Sequence, residues 1–117
     1  MTGWRKRFFP PLLFLCVVLA ASHAWAVGAY TKGQEYYKKG MYDLARAEFE
    51  KDLAAHPKNA QSHFYLGTIL FSQDRLEEAA AHYQKAVDLD YYLAGGHYAL
   101  GICLKKKGDF AGAEKSF

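Results

Sequence analysis

Cysteine is nearly missing from this sequence: Cys16 and Cys103 are the 2 present. One lies in the N-terminal segment and one in the body, so a disulfide framework is excluded if the first segment is removed. A charge bias is missing as well. The formal charge is +3, and Arg5, Lys6 and Arg7 account for it, because residues 27–117 carry 12 basic and 12 acidic side chains. A neutral body argues against a nucleic-acid-binding stripe. Too little of the chain is polar for disorder, with 51% hydrophobic and 16% aromatic residues. Nucleophile–base pairs, glycine-rich phosphate loops, haem-attachment motifs and metal-ligand spacings do not occur. Neither catalysis nor a cofactor or metal is therefore expected.

What is present begins with Met1–Ala26, MTGWRKRFFPPLLFLCVVLAASHAWA. Basic Arg5-Lys6-Arg7 precedes an apolar run from Leu12 to Ala21, and Ser22-His23 leads to Ala24-Trp25-Ala26. These are the three parts of a secretory signal, with small residues where a signal peptidase requires them. Cleavage is expected after Ala26, leaving Val27 as the mature N-terminus and Cys16 and His23 without site chemistry. An uncleaved anchor in the inner membrane is the alternative, although the apolar run falls short of the roughly 20 residues a span needs. A lipoprotein signal would require a small residue before Cys16, and a twin-arginine signal would require adjacent arginines.

The remainder is organised by a period of 34. Gly33, Gly67 and Gly101 show it, as do Ala45, Ala79 and Ala113, Phe49, Tyr83 and Phe117, and Tyr30, Phe64 and Tyr98. Gly40, Asp74 and Gly108 form a fifth column. Apolar spacing inside each unit is helical: Phe64, Leu66, Leu70 and Phe71, then Leu76, Ala79, Ala80, Tyr83, Ala86 and Val87. Ser72-Gln73-Asp74-Arg75 is a polar turn between them. Gly40 and Gly108 suit the left-handed end of a helix. Asp43, Glu77, Glu78 and Asp109 suit the start of the next one. Pro57 ends the first pair, and Asn59 is the expected N-cap of the following helix.

These units resemble the tetratricopeptide repeat (TPR) family. Unit positions 7, 8, 11, 20, 24 and 27 are matched by Leu66, Gly67, Leu70, Ala79, Tyr83 and Ala86 in the second unit. The first supplies Gly33, Tyr36, Ala45, Phe49 and, at position 32, Pro57; the third supplies Leu100, Gly101, Leu104, Ala113 and Phe117. The resemblance implies an all-α right-handed superhelix of antiparallel helix pairs, in repeats of about 26–59, 60–93 and 94–117. Small residues at 8, 20 and 27 let helices approach, and large ones at 7, 11 and 24 fill the gaps. Lys32 and Asp52 depart from the pattern, as if the first helix were a less buried end. Tyr91 replaces a proline, and Gly95-Gly96 should weaken the third unit's first helix by up to ~1 kcal/mol each.

About 2.7 units fit in residues 27–117, and stacked repeats need a terminal cap. The expectation is therefore a chain cut before its cap, with self-association through that end as the alternative.

By resemblance, the first helices line a concave groove for a protein or peptide partner. Tyr30, Gln34, Tyr37, Phe64, Tyr65, Thr68, Phe71, Tyr98 and Lys105 are its candidate residues. The same aromatics also suit packing between repeats, and sequence leaves both roles open. The carboxylate clamp of some TPR modules is not matched, since its places hold Tyr30, Gln34, Tyr65, Gly95 and Ala99. His63 and His97 share a unit position, where stacked helices would hold them ~10 Å apart. They read as packing residues, and His56 and His82 read as having no partner at ligand spacing. Cys103 reads as a small buried residue, and Lys105-Lys106-Lys107 as the cationic end of a helix. The expected function is an exported, periplasmic or secreted scaffold of a bacterial cell envelope. The alternative is the repeat portion of a longer envelope-biogenesis factor or enzyme.

Overall fold

The computed structural model describes residues 26–108 together with 112, 115 and 116. The segment expected to be a signal, up to Trp25 and including Ala24, lies outside the described residues, as do Asp109, Ala113 and Phe117. Five helices follow in order among the described residues: α1 (Ala29–Lys38), α2 (Tyr42–Ala55), α3 (Ala60–Ser72), α4 (Leu76–Leu89) and α5 (Gly96–Lys107). This is the expected all-α solenoid of TPR-type helix pairs.

The 34-residue columns have direct physical causes. A Cβ on Gly33 would lie 2.7 Å from the Phe49 ring, and one on Gly67 would lie 2.8 Å from the Tyr83 ring. The aromatic of each second helix therefore rests on the bare backbone of the first. Ala45 and Ala79 are fully buried beside them.

The column of Gly40, Asp74 and Gly108 is left-handed throughout, with φ of 75°, 60° and 97°. Gly40 N–H donates to the Tyr37 carbonyl and Met41 N–H to Tyr36, closing α1 with paired reverse bonds. Asp74 and Arg75 repeat this on Phe71 and Leu70. Asp74 thus performs a glycine's task at the end of α3.

The core forms two clusters joined by α3. Leu66 and Ile69 pack with Ala45 and Phe49. Leu70, four residues past Leu66, packs with Ala79, Tyr83, Val87, Leu100 and Cys103. Cys103 is fully buried as expected, its thiol donating to the Leu76 carbonyl at 3.4 Å.

Two expectations are corrected at the junctions between repeats. Lys32 is exposed, but Asp52 is not an exposed end residue: it is 4% exposed. Its Oδ2 accepts from Ser62 Oγ at 2.6 Å and from Asn59 Nδ2 at 2.8 Å. Asn59 also caps α3, accepting from Ser62 N–H at 3.4 Å. The second correction concerns Gly95 and Gly96. Gly95 takes φ 76° as the residue before α5, and a Cβ on Gly96 would lie 2.9 Å from Val87. Their entropic cost is offset by a turn and a close approach that other residues would strain.

Candidate partner-binding groove

The odd-numbered helices α1, α3 and α5 share one face. Tyr30, Gln34, Tyr37 and Tyr65 meet between α1 and α3, and Phe64, Thr68, Phe71 and Tyr98 line one cavity between α3 and α5. Tyr98 is exposed, the others are half-buried, and Lys105 is exposed and in neither set. Ala26 is buried and Val27 exposed, just before the left-handed Gly28 that opens α1.

Between α1 and α3 the groove wall is a set of mutually satisfied polar groups on an aromatic floor. Tyr30 Oη donates to Gln61 Oε1. Gln34 Nε2 donates to Tyr30 Oη at 3.1 Å and to Tyr65 Oη at 3.4 Å. Tyr65 stacks on Phe49 with ring centroids 4.8 Å apart and meets Tyr37 edge-on at 5.1 Å. Burial pushes the hydroxyls of Tyr30 and Tyr37 above the usual tyrosine range, so both stay protonated. In this half the aromatics pack between the first two repeats, one of the two roles that the sequence left open.

Between α3 and α5 the same face is apolar. A cavity of about 320 Å³ is lined by Phe64, Thr68, Phe71, Tyr83, Gly95, Tyr98, Ala99 and Ile102. Tyr83 Oη donates to Thr68 Oγ1 at 3.0 Å, and Thr68 Oγ1 donates to the Phe64 carbonyl at 3.0 Å. The floor's polar atoms are thereby turned on one another. Burial raises the Tyr83 hydroxyl. Phe71 closes one end beneath Lys106 Nζ, 4.9 Å from its ring centroid. Lys106 also pairs with Asp74 at 3.2 Å. Tyr98 stands at the rim, 65% exposed.

The histidines divide differently from expectation. His63 Nε2 lies 3.3 Å from the Pro57 carbonyl, and His97 Nε2 lies 3.0 Å from the Tyr91 carbonyl. Their shared position is thus a clasp on the preceding loop, in keeping with a packing role. His82, however, has a partner: its Nδ1 lies 3.1 Å from His63 Nδ1. The spacing test compared residues on stacked helices of different repeats. The missed signal was pairing across one hairpin, since His63 and His82 flank the Ser72–Arg75 turn at comparable distances. The network of Asp52, Asn59 and Ser62 was missed because each residue was weighed alone.

The chain belongs to the tetratricopeptide repeat family, whose model matches residues 30–94. Among solved structures, MamA from Desulfovibrio magneticus RS-1 is similar at TM-score 0.71 and 33% identity. That likeness covers 78% of this chain and 51% of MamA. The TPR2B domain of yeast Sti1, solved in a complex with pHsp70, shares the fold at TM-score 0.72 and 20% identity. It covers 78% of this chain and 73% of that one. A curated relative from Pseudomonas putida, described as a probable biofilm formation methyltransferase, WspC, is 30% identical over 76 residues. Those residues are 65% of this chain and 18% of the relative. The chain therefore spans about half of MamA and a small part of WspC. No helix among the described residues is long and apolar enough to cross a membrane.

Proposed function

We propose that the chain is an exported, non-catalytic scaffold of a bacterial cell envelope that holds an apolar side chain of a peptide or helix between α3 and α5. The observation that carries this is the cavity beside Phe64, Phe71, Tyr98 and Ile102, open on the face shared by α1, α3 and α5. Aromatic walls offer large contact area at small conformational cost. Lys105 is the charged residue among the groove candidates, so an acidic residue flanking the anchor is favoured over a basic one. The Sti1 complex supports the use of this fold for protein partners.

A photo-crosslinking residue at Tyr98, compared with one at exposed Ala81 on α4, tests the groove. A partner captured at 98 and lost when Ile102 is changed to Asp is the expected outcome; equal capture at both positions defeats it. Export is tested separately by fractionation and N-terminal sequencing. A mature chain starting at Val27 outside the cytoplasm supports it, and an unprocessed cytoplasmic product overturns it.

A second reading, favoured by the small share of WspC that the chain spans, makes these repeats the interaction module of a longer factor or enzyme. Sequencing the transcript beyond Phe117 decides it: a following catalytic domain supports this reading, and a stop codon removes it.

A further inference from the structure

We propose that His63 and His82 form a two-histidine site for a borderline divalent transition-metal cation of the Zn(II) or Ni(II) class, pinning α3 to α4. The Pro57 carbonyl can only accept, so the His63 proton sits on Nε2. His63 Nδ1 therefore presents its lone pair to His82, 3.1 Å away, and His82 Nδ1–H donates to it. A ligating imidazole whose other nitrogen donates to a backbone carbonyl is the arrangement that orients metal-binding histidines.

The separation also fits. Two metal–nitrogen bonds of about 2.0–2.1 Å, meeting at about 90–109°, span about 2.8–3.4 Å. With centroids 5.4 Å and Nδ1 atoms 3.1 Å apart the two nitrogens face each other nearly head-on, and cation binding turns each ring by about 35–45° so that both lone pairs meet at one point. When a cation enters, the His82 proton moves from Nδ1 to Nε2 through solvent, and both rings stay neutral.

The charged surroundings are mixed. Glu50 from α2 and Glu78 from α4 act on His82 in favour of positive charge, and Arg46 opposes them. Lys85 acts against positive charge at His63. Burial lowers both imidazoles from their ordinary value, which favours the neutral rings that a cation requires. No group of three or more His, Cys, Asp or Glu gathers around a metal position among the described residues. The remaining coordination places go to water, and the site is correspondingly open.

His97 supplies an internal control, because it makes the same clasp on a loop carbonyl and lies outside the pair. The full chain, stripped with chelator, is titrated calorimetrically with zinc chloride and with nickel chloride at pH 7.5. Wild type and His97→Asn are expected to bind one equivalent alike, and His82→Asn to bind about tenfold or more weakly. His63→Asn should match His82→Asn; circular dichroism of the metal-free variants checks that each is folded. Nitrogen NMR of the wild-type rings reads the site directly, with zinc expected to shift Nδ1 of both His63 and His82. Equal binding by wild type and His82→Asn, or zinc shifts absent from these two rings, overturns the proposal.

Discussion

Between α2 and α3 the chain turns over Asp52, Asn59 and Ser62; between α4 and α5 the equivalent places, 34 residues on, hold Ala86, Leu93 and Gly96. In the first junction a buried carboxylate accepts from a hydroxyl and an amide, and the asparagine caps the helix that follows. In the second, Gly96 lies against Val87 and Leu93. No side chain caps α5, which starts at Gly96 after a left-handed Gly95. Three positions have changed chemistry together. The difference teaches that the junction requires small volume and complete polar pairing; a partial polar set would be worse than either solution.

The largest expected effect is at Asp52. Asp52→Ala removes the acceptor of the fully buried Ser62 hydroxyl and of the Asn59 amide, and should cost about 2–4 kcal/mol in urea unfolding. Adding Asn59→Leu and Ser62→Gly converts the first junction toward the second. It should recover much of that loss; a triple variant no more stable than Asp52→Ala would separate the junctions into unrelated designs.

Next is Gly96→Ala, whose Cβ meets Val87 at 2.9 Å. A cost of about 1–3 kcal/mol is expected from crowding, whereas Ser62→Ala, where a Cβ already stands, should cost a similar amount, about 1–3 kcal/mol, through the donor lost to the buried Asp52 carboxylate. Comparable thermal midpoints for Gly96→Ala and wild type would show that the second junction can open to admit a methyl group.

The His63–His82 pair responds to acid. Burial depresses His63 and His82 in the folded chain, so the unfolded chain binds more protons as pH falls. Their contribution is fully present above about pH 6.5 and is lost as pH drops through that value toward the folded ones. Urea midpoints between pH 7.5 and 5 should decline in wild type and decline less in His82→Asn. Parallel slopes would remove the pair from the acid response.

The smallest effect is at the loops themselves. Pro57→Ala should cost only about 0.4–1 kcal/mol, through greater freedom of the unfolded chain. A larger loss would mean that the Pro57 ring packs as well as stiffens.

The period was legible because its columns mark backbone and volume constraints that every repeat must meet: Gly33 under Phe49, Gly67 under Tyr83, and the left-handed Gly40, Asp74 and Gly108. The groove residues were legible as positions on three helices. Their division was not, because hydrogen bonding among Tyr30, Gln34, Gln61 and Tyr65 depends on how α1 and α3 stack. The cavity beside Tyr98 likewise depends on where α5 begins, and Gly95 and Gly96 set that start two residues after Ala94, the place matching the α3 start at Ala60.

By itself the sequence determined the helical pairs, their repeat length, their turns and a balanced body, since each is encoded by neighbours or by fixed periodicity. Tertiary structure alone decided that Asp52 is buried, that His63 meets His82, and that half of the groove is polar and half apolar. Those outcomes depend on distances between helices, and a side chain's partners across an interface are set by the packing angle and offset of both.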